Sequence, residues 1–289
     1  MTEVVAVTTV VGVLGRGIVP AGEPVVRADD LGLSRGDGCF ESARVLTDDA
    51  GHSVVERLDA HLARLQRSLD ALAIPADVAA CRGLVEQVVE TWAVPGEAVV
   101  KLMVTRGLEG TGVPTVVATV RPIGADALRQ RRDGVRAVTL SRGTEADSHA
   151  DAPWLLGGVK SLSYAVNLAA LREAVRRGAE DVVWVTRDGT VLEAPTAAVV
   201  WAQGSRLATT PTGASGILAG TTMAALFDRA RADGHEVAVE TITAGDLRCA
   251  DGVWLVSAVR GVAAVVELDG TGFPAQAELT RRLNGYAGF

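Results

Sequence analysis

The alternation of apolar and polar positions divides the first third of the chain into strands and two helices. Strands are predicted at residues 4–13, 17–26, 39–46, 98–105 and 115–120, and helices at 58–72 and 76–92. Five leucines share one face of the first helix: Leu58, Leu62, Leu65, Leu69 and Leu72. Pro75 ends this helix, because proline does not continue a helical pattern.

The second half of the chain again mixes strands with a few helices. The predicted strands are at 136–140, 181–186, 197–201, 236–240 and 252–257, and the predicted helices are at 163–177, 221–233 and 278–286. Runs of strands with few interposed helices favour an α+β fold over a doubly wound sheet. The sequence contains no internal repeat or low-complexity tract.

A polar, arginine-rich segment marks the predicted boundary between two domains. Three arginines and an aspartate lie close together in it: Arg129, Arg131, Arg132 and Asp133. We therefore predict an N-terminal domain at 1–121, a linker at 122–135 and a C-terminal domain at 136–289. The 289 residues are enough for two hydrophobic cores.

Composition argues against several kinds of partner and compartment. The formal net charge of −7 argues against a general nucleic-acid or acidic-membrane surface. No membrane span is predicted, since the most apolar stretch, residues 253–266, is interrupted by Arg260. The N-terminus is acidic, so no signal peptide is predicted and a cytoplasmic protein is expected. The widely spaced cysteines, Cys39, Cys81 and Cys249, predict neither a zinc site nor a disulfide framework.

Lysine is rare in this chain, which contains 26 arginines and two lysines, Lys101 and Lys160. A lysine amine can be made neutral by burial and then act as a nucleophile or base, whereas a guanidinium stays protonated. Lys160 follows Gly157 and Gly158 in a small-residue turn that is a poor setting for a solvated charge. It is therefore a candidate for covalent chemistry, and an ordinary surface lysine is the alternative.

A second candidate is the glycine-rich segment 213–222, which leads into a predicted helix. Small residues let backbone N–H groups approach an anion, and a helix N-terminus adds partial positive charge. The segment lacks the lysine that a P-loop places before Ser/Thr, so an ATPase is rejected while a phosphate site stays open. The alternative is that these glycines are needed only for steric reasons.

Three further features have both a structural and a chemical interpretation. Glu193 follows a turn at residues 188–189 and is either a solvated loop residue or the partner of a cation. His61 and Arg64 share a stripe of the first helix, which is either solvated or lets Arg64 bind a phosphate with its forked donors. Residues 30–41 are rich in Gly and Asp, which favour turns.

In this order, these segments resemble the fold-type IV family of pyridoxal-phosphate enzymes over nearly the whole chain. The motifs are Leu33-Ser34-Arg35-Gly36-Asp37-Gly38-Cys39-Phe40-Glu41, His61-Leu62-Ala63-Arg64-Leu65, Lys160-Ser161-Leu162-Ser163-Tyr164, Glu193 and Leu218-Ala219-Gly220-Thr221-Thr222. The family includes branched-chain aminotransferases, D-amino-acid aminotransferases and 4-amino-4-deoxychorismate lyase. The resemblance implies a small N-terminal α/β domain, a larger C-terminal pseudo-barrel domain and a homodimer.

The resemblance also implies roles for individual residues. Lys160 corresponds to the lysine that binds pyridoxal 5′-phosphate covalently, and Glu193 to the partner of the pyridine nitrogen, which makes the ring an electron sink. The other cofactor positions correspond to Arg64, Tyr164, Leu218, Gly220, Thr221, Thr222 and Ser257. Tyr164 matches a partner of the cofactor's phenolic oxygen. Ala198 stands where the family commonly has Asn, so one hydrogen bond near the cofactor is missing or replaced.

Substrate residues and activity follow from the same resemblance. The segment 36–45 is similar to the lyase branch, and the loop with Ser257, Ala258 and Arg260 is similar to one that binds a substrate carboxylate. Arg106 is a second candidate, since aminodeoxychorismate has two carboxylates; a structural ion pair is the alternative for each arginine. The resemblance thus implies an aminodeoxychorismate lyase of folate synthesis. The alternatives are a branched-chain or D-amino-acid aminotransferase and a non-catalytic binding protein.

Overall fold

The computed structural model describes residues 9–289, which divide into two compact units. Residues up to 124, together with 159–163, form unit 1, and residues 125–158 with 164–289 form unit 2. The short segment 159–163 therefore belongs to unit 1, although the chain on both sides of it belongs to unit 2. Lys160 is consequently a residue of unit 1.

Unit 1 is a six-stranded antiparallel sheet with helices. The strands are β1 (Val10–Val13), β2 (Gly17–Val19), β3 (Gly38–Thr47), β4 (Ser53–Val55), β5 (Gly96–Thr105) and β6 (Thr115–Pro122). The helices are α1 (Leu31–Arg35), α2 (Leu58–Leu72) and α3 (Val78–Glu90). The strand order is β2-β1-β6-β5-β3-β4, so β3 and β5 lie next to each other near one side of the sheet.

The two faces of this sheet have different surroundings because side chains alternate along each strand. On one face, Ala43 and Val100 belong to the same buried cluster as Leu65 of α2 and Val88 of α3. The intervening residues of β3 and β5 point to the other face. There the register places Phe40 opposite Met103, and Ser42 opposite Lys101.

Unit 2 contains a larger mixed sheet. Its strands are β7 (Val135–Ser141), β8 (Asp181–Val185), β9 (Ala198–Gln203), β10 (Arg206–Thr209), β11 (Glu236–Val239), β12 (Gly252–Ser257), β13 (Gly261–Leu268) and β14 (Thr271–Gly272). Its helices are α4 (Ala125–Asp133), α5 (Ala165–Arg176), α6 (Thr221–Ala232), α7 (Ala244–Leu247) and α8 (Ala277–Ala287), with a 3₁₀ turn at Pro153–Leu155. The strand order is β11-β10-β9-β12-β13-β7-β8, and β14 pairs with β13.

Both faces of the larger sheet are buried. Val253 and Leu255 of β12 belong to one apolar cluster, and Trp254 and Val256 belong to another that includes residues of α6 and α8. A strand covered on both faces needs a continuous apolar sequence rather than an alternating one. Burial on both faces of the sheet therefore explains the long apolar stretch at residues 253–266, and no membrane span is needed to account for it. No helix within residues 9–289 is long and apolar enough to cross a bilayer.

The sheets and helices confirm the α+β class predicted from the sequence. The predicted bounds of the helix at 58–72 and the strand at 252–257 are reproduced. The strand predicted at 17–26 ends at Val19, since Pro20 has no N–H for the ladder. Of the strand predicted at 4–13, β1 covers Val10–Val13, and residues 4–8 lie outside the described residues.

Other parts of the chain differ from the predicted pattern. The range predicted as a linker, 122–135, contains α4, which has no buried residue and therefore shows no apolar stripe in its sequence. The apolar run 253–266 is two strands, because a turn at 258–260 separates β12 from β13. The short elements α1, β4, β10, α7 and β14 were also absent from the predicted pattern.

Candidate active site

Lys160 is fixed by backbone hydrogen bonds at the start of β3. The Phe40 N–H donates to the Lys160 carbonyl at 3.0 Å, and the Leu162 N–H donates to the Gly38 carbonyl at 2.9 Å. On its other side, the Lys160 N–H donates to Ser68 Oγ of α2 at 3.3 Å. Lys160 is half-buried, and its Nζ lies 4.5 Å from the centroid of the Phe40 ring. The surface-lysine alternative is therefore wrong.

Two glycines near β3 make this approach of the segment 159–163 possible. A Cβ on Gly38 would lie 2.5 Å from the Val104 carbonyl oxygen and 2.8 Å from Leu162 Cδ1. Gly36 has φ 70°, in the left-handed region, and a Cβ there would lie 2.6 Å from Ser163 Oγ. The turn chemistry seen in the sequence thus has a specific purpose, which is to let the lysine segment lie directly against β3.

A buried charge cluster lies behind β3. The Arg64 guanidinium donates from Nε and Nη2 to the two oxygens of Glu41, each at 2.7 Å, and His61 Nδ1 lies 2.8 Å from Glu41 Oε2. Their side chains are 2–6% exposed, so the solvated helix stripe considered for His61 and Arg64 is wrong. Burial opposes ionisation of Glu41, but the hydrogen bonds from Arg64 and His61 outweigh it and lower its pKa. Glu41 therefore orients Arg64.

Arg106 is occupied within unit 1. Its Nε and Nη2 donate to the two carboxylate oxygens of Asp37, at 2.6 and 3.2 Å. Its Nη2 and Nη1 also donate to the carbonyls of Leu72 and Ala73, at 2.6 and 3.0 Å, where α2 ends. Cations at a helix C-terminus satisfy carbonyls that lack an intrahelical partner. These contacts support the structural ion-pair interpretation of Arg106.

In unit 2, the N-terminus of α6 has the features of an anion site. The N-cap is Gly220, which offers no side-chain cap to the first N–H groups of this 12-residue helix. Thr222 Oγ1 is buried and has no hydrogen-bond partner among the described residues. A buried hydroxyl without a partner costs free energy, and a phosphate oxygen would remove that cost.

Two glycines, Gly157 and Gly216, are needed for steric reasons, because the His149 ring packs against them. The His149 N–H donates to the Ala214 carbonyl at 3.0 Å, and the His149 ring lies against Gly157 and Gly216. A Cβ on Gly216 would lie 2.4 Å from His149 Nδ1. At Gly216 the steric interpretation of the glycine-rich segment 213–222 is correct.

Glu193 is half-buried and held in place, so the solvated-loop interpretation is wrong. Its Oε2 accepts a hydrogen bond from the Leu218 N–H at 3.1 Å, and its carbonyl accepts one from the Trp184 N–H at 2.8 Å. The Leu218 contact connects the carboxylate to the segment that leads into α6. Ala198 lies beside the N-cap of that helix, since a Cβ on Gly220 would lie 3.6 Å from Ala198 Cβ.

The Tyr164 side chain is held in place by the backbone of Pro195, which follows Glu193 by two residues in the sequence. The Tyr164 hydroxyl donates to the Pro195 carbonyl at 2.7 Å, and Asn167 Nδ2 donates to the same carbonyl at 3.0 Å. Burial raises the pKa of the Tyr164 phenol, with a smaller contribution from Glu193. The phenol therefore stays protonated at neutral pH and acts as a donor.

Ser257 is the last residue of β12, and Ala258 and Arg260 lie in the turn that connects β12 to β13. Arg131 of α4 donates to the carbonyls of Val259 and Arg260, at 3.0 and 2.8 Å, and so fixes the turn. Arg260 Nη1 donates to Asp181 Oδ2 at 2.6 Å, and this ion pair is buried. Arg260 Nε and Nη2 have no partner within residues 9–289. The structure thus assigns the Arg260 guanidinium a position inside unit 2, against Asp181.

The sequence interpretation did not assign roles to Phe40 and Glu41. Side chains alternate along β3 and β5, and this alternation places Phe40 and Lys101 on the same face of the sheet. The sequence alone could not show this, because it does not give the register of the two strands. Glu41 was part of a quoted motif, and its partners on α2 became visible only in three dimensions. No cluster of His, Cys, Asp or Glu suited to a metal ion occurs in the described part of the chain.

A half-buried lysine, an anchored glutamate and an anion site at a helix N-terminus are the features of a pyridoxal-phosphate enzyme. Residues 38–268 match the family described as Amino-transferase class IV, and the chain belongs to this family. The fold-type IV architecture and the cofactor pyridoxal 5′-phosphate, both predicted from the sequence, are thereby confirmed.

Individual relatives agree with this family. The chain is 41% identical over 266 residues to the bifunctional aminodeoxychorismate lyase / D-amino acid transaminase of Mycobacterium tuberculosis, covering 89% of this chain and 90% of that protein. The structure of the fold IV-transaminase CpuTA1 from Curtobacterium pusillum is similar, with a TM-score of 0.89, 40% identity and coverage of 96% and 97%. A hypothetical aminotransferase from Mycobacterium tuberculosis in its PLP-bound form gives a TM-score of 0.90, 39% identity and coverage of 97% and 98%.

The residues of this chain fit the cofactor. The partnerless hydroxyl of Thr222 and the uncapped N-terminus of α6 suit its phosphate. Glu193 suits the protonated pyridine nitrogen, and the amine of Lys160 suits the aldehyde. When bound, the cofactor supplies an electron-withdrawing ring that stabilises negative charge on a neighbouring carbon.

Proposed function

We propose that this enzyme is a 4-amino-4-deoxychorismate lyase that converts its substrate into 4-aminobenzoate and pyruvate. The observation that carries the proposal is the 41% identity to a protein named for this activity, over 90% of that protein's length. The segment 36–45, which resembles the lyase branch of the family, supports it. We further propose that the enzyme works as a homodimer in the cytoplasm and supplies folate synthesis.

In this proposal Lys160 Nζ moves the protons. It removes the proton from the amine-bearing carbon of the substrate, and the bond between the adjacent carbon and the enolpyruvyl oxygen then breaks. The electron pair of the broken C–H bond completes the aromatic ring, and the C–O pair leaves with the oxygen. Lys160 Nζ returns a proton to the enolpyruvyl group, which becomes pyruvate. The two products together contain every atom of the substrate, so no keto acid or oxidant is needed.

The remaining residues hold the cofactor in this proposal. Gly220, Thr221 and Thr222 bind its phosphate together with Arg64, and Leu218 and Ser257 line its site. Glu193 keeps the pyridine nitrogen protonated, and the Tyr164 hydroxyl exchanges its hydrogen bond to the Pro195 carbonyl for one to the phenolic oxygen. The buried position of Glu41 keeps Arg64 in one orientation, which reduces the entropy lost when the phosphate binds.

A D-amino-acid aminotransferase is the second candidate. The specific observation in its favour is that the same 41% identical relative is named for this activity as well. An aminotransferase uses the same cofactor residues but needs a keto acid to complete its cycle. The requirement for a keto acid therefore separates the two activities.

The test is a product assay with the loaded enzyme. Aminodeoxychorismate is supplied without any keto acid, and 4-aminobenzoate and pyruvate are measured. Equal amounts of the two products support the lyase. Absence of 4-aminobenzoate, together with keto-acid-dependent transfer of the amino group from D-alanine or a branched-chain amino acid, would sink the lyase assignment in favour of an aminotransferase.

A further inference from the structure

One backbone carbonyl of unit 2 accepts hydrogen bonds from two side chains. The carbonyl of Pro195, a buried residue, accepts from the Tyr164 hydroxyl at 2.7 Å and from Asn167 Nδ2 at 3.0 Å. Tyr164 is the N-cap residue of α5, and Asn167 lies in the first turn of that helix. A carbonyl oxygen has two lone pairs, but a single donor is enough to satisfy it. The Tyr164 hydroxyl can therefore leave Pro195 without leaving that carbonyl unsatisfied.

The orientation of the Asn167 amide is fixed by the groups on either side of it. Asn167 Oδ1 accepts from Arg142 Nη1 at 3.2 Å, and Asn167 Nδ2 donates to the Pro195 carbonyl. A guanidinium only donates and a carbonyl only accepts, so the reversed amide would lose both hydrogen bonds. The amide therefore has one favoured orientation, in which its N–H faces Pro195.

Arg142 is in turn held against unit 2. Its backbone N–H donates to the Val185 carbonyl at 2.7 Å, and its guanidinium carbon lies 5.1 Å from the centroid of the Trp184 ring. Trp184 is 6% exposed. A guanidinium stacked on a buried aromatic ring loses little further freedom when it donates to Asn167. The contacts thus form one chain from Trp184 through Arg142 and Asn167 to Pro195.

The Tyr164 phenol interacts with the same groups. Burial raises the pKa of this phenol most strongly, whereas a hydrogen bond from the Asn167 side chain lowers it. The carboxylates of Glu193 and Asp181 raise this pKa further, and the charge of Arg142 lowers it. The Asn167 amide has two N–H donors, so it can serve the phenol with the one that the carbonyl does not use. Asn167 is therefore a partner both of the hydroxyl and of the carbonyl that the hydroxyl would leave.

We propose that Asn167 is a positioning residue that releases Tyr164 for the cofactor. In the proposed function, on which this inference rests, the Tyr164 hydroxyl donates to the phenolic oxygen of pyridoxal 5′-phosphate. Asn167 keeps the Pro195 carbonyl satisfied during the exchange, and Arg142 keeps the amide facing that carbonyl. Without Asn167 the carbonyl would retain the Tyr164 hydroxyl, because an unsatisfied buried acceptor costs free energy. The cofactor would then lack its donor although Tyr164 itself is intact.

The proton on Lys160 Nζ reports whether this donor is in place. The phenolic oxygen of the bound cofactor carries negative charge, and a hydrogen bond from Tyr164 stabilises that charge. When the donor is missing, the oxygen attracts the proton on the attached Nζ more strongly, so that proton is lost at a higher pH. The visible absorbance of the attached cofactor changes when this proton is lost. The pH midpoint of that change therefore measures the donor, independently of turnover and of the substrate.

The experiment measures this midpoint in the full-length, cofactor-loaded protein with Tyr164→Phe, Asn167→Leu and the double variant. Tyr164→Phe is expected to raise the midpoint by roughly 1–2 pH units, since a charge-assisted hydrogen bond is lost. Asn167→Leu is expected to raise it by roughly 0.5–1.5 units, because the Tyr164 hydroxyl stays on Pro195. In the Tyr164→Phe background, Asn167→Leu should add less than about 0.3 units, because the donor that it releases is already absent.

Arg172→Leu provides the matched control. Arg172 is an exposed residue of α5, so this variant places the same apolar side chain on the same helix. It should move the midpoint by less than about 0.2 units, since the effect of an exposed charge is screened by solvent and salt. Thermal denaturation of the apoprotein checks folding. Asn167→Leu should leave the apoprotein folded, because the Tyr164 hydroxyl still satisfies the Pro195 carbonyl.

Arg142→Met is a second variant that does not alter α5. Arg142 is exposed, and its removal frees the Asn167 amide to turn away from Pro195. The lost positive charge acts on the midpoint with or without Tyr164, so only the part of the shift that disappears with Tyr164→Phe reports the position of the phenol. A shift of equal size in both backgrounds would count against the proposal.

The remaining outcomes are equally distinct. An unchanged midpoint in Asn167→Leu, together with a raised one in Tyr164→Phe, would overturn the role of Asn167. Equal shifts by Asn167→Leu with and without Tyr164 would overturn it too, because Asn167 would then act without the phenol. No shift in Tyr164→Phe would remove Tyr164 from the phenolic oxygen and the exchange with it.

These results are independent of the product assay. An aminotransferase attaches the same cofactor as a lyase, so the role of Asn167 can hold when the lyase assignment fails. A protein that releases 4-aminobenzoate, yet shows no shift with Asn167→Leu, keeps the lyase assignment and loses the positioning role of Asn167.

Discussion

At the residue scale, the two lysines can be separated by the same substitution. Lys160→Arg keeps the charge but removes the amine that we propose to attach the cofactor, so the visible absorbance of the attached cofactor should disappear and turnover should fall roughly 10³-fold or more. Lys101→Arg should keep that absorbance, because its amine is not the point of attachment. Loss of the absorbance in Lys101→Arg, with retention in Lys160→Arg, would show that the lysines had been assigned the wrong way round.

Glu41 offers a residue-scale test of stability and its pH dependence. Its folded pKa is lowered, so its contribution is complete above the unfolded pKa of about 4 and is lost as pH falls through the folded value. Glu41→Gln leaves Arg64 buried without its carboxylate and should cost about 3–5 kcal/mol near neutral pH. Urea unfolding of the apoprotein from pH 7 to pH 3 should show this difference shrinking on the acid side.

The control for Glu41 is Glu109, which is exposed and has no ion pair with any residue of the described range 9–289. Glu109→Gln should change the free energy of unfolding by no more than about 0.5 kcal/mol at any pH. If the loss caused by Glu41→Gln were constant down to pH 3, the cluster with Arg64 and His61 would not be the source of the pH dependence.

Individual site residues differed in how far the sequence could predict them. Lys160 could be proposed from the sequence because lysine is rare and because its motif resembles a known family, and the structure shows that it is half-buried. The burial of His61 and Arg64 could not be proposed, since a helical stripe of polar residues is usually solvated and only contact with Glu41 shows otherwise. The ion pair of Arg260 was equally invisible, because Asp181 is 79 residues away in sequence.

At the scale of the element, the N-terminus of α6 can be tested with Thr222→Val. The substitution keeps the shape of the side chain and removes a buried hydroxyl that has no partner in the described structure. The apoprotein should therefore be as stable as wild type or slightly more stable. Affinity for the cofactor should fall roughly tenfold to a hundredfold, because a hydrogen bond to the phosphate is lost.

The two readouts for Thr222→Val are expected to move in different directions. Thermal denaturation of the apoprotein reports the first, and titration with pyridoxal 5′-phosphate reports the second. Unchanged affinity would remove Thr222 from the phosphate site. A clear loss of apoprotein stability would indicate that the hydroxyl has a structural partner after all.

The buried ion pair between Asp181 of β8 and Arg260 of the β12–β13 turn is a second feature that can be tested at this scale. Asp181→Leu leaves the Arg260 charge buried without its partner and should destabilise the apoprotein by about 3–5 kcal/mol. Adding Arg260→Met removes the remaining charge, so the double variant should be more stable than Asp181→Leu alone. Chemical denaturation measures all three variants. Losses that simply add would show that the two side chains do not stabilise each other.

At the scale of the whole molecule, three free cysteines report on different depths of the structure. Cys249 is exposed, whereas Cys39 and Cys81 are buried in unit 1. Burial raises the pKa of Cys39 to about 12 and that of Cys81 to about 11, so thiolate is scarce at both. A thiol reagent at pH 8 should therefore titrate one cysteine at once and the other two only as unit 1 opens.

Cys249→Ser supplies the control, since it should abolish the fast phase and leave the slow one. Because the slow phase requires exposure of the core of unit 1, its rate should rise with urea. Two fast thiols in the native protein would mean that α3 or β3 opens locally without unfolding of the unit.

The overall fold was predictable in class and in the order of its long elements. The helix α2 can be recognised from its regular leucine spacing, because it buries one stripe of side chains. The strand β12 can be recognised from its apolar run, because it is buried on both faces. Helix α4 cannot be recognised, since it buries no side chain fully and its sequence is as polar as a linker. The membership of 159–163 in unit 1 has no local signal at all, because it depends on pairing with residues more than 100 positions earlier.

That pairing has a consequence for how the protein is made. The start of β3 can pair with β5 on one side once 105 residues have been synthesised. Its other side can form hydrogen bonds only after residues 160–162 have been synthesised. At ~5–20 residues per second, this edge stays open on the ribosome for several seconds, while the first part of unit 2 is already emerging. Nascent chains with an open strand edge are prone to wrong pairing. Closing the edge and placing the Lys160 amine are one event, so a chain that misfolds at this edge during synthesis also misplaces the amine that we propose to be catalytic.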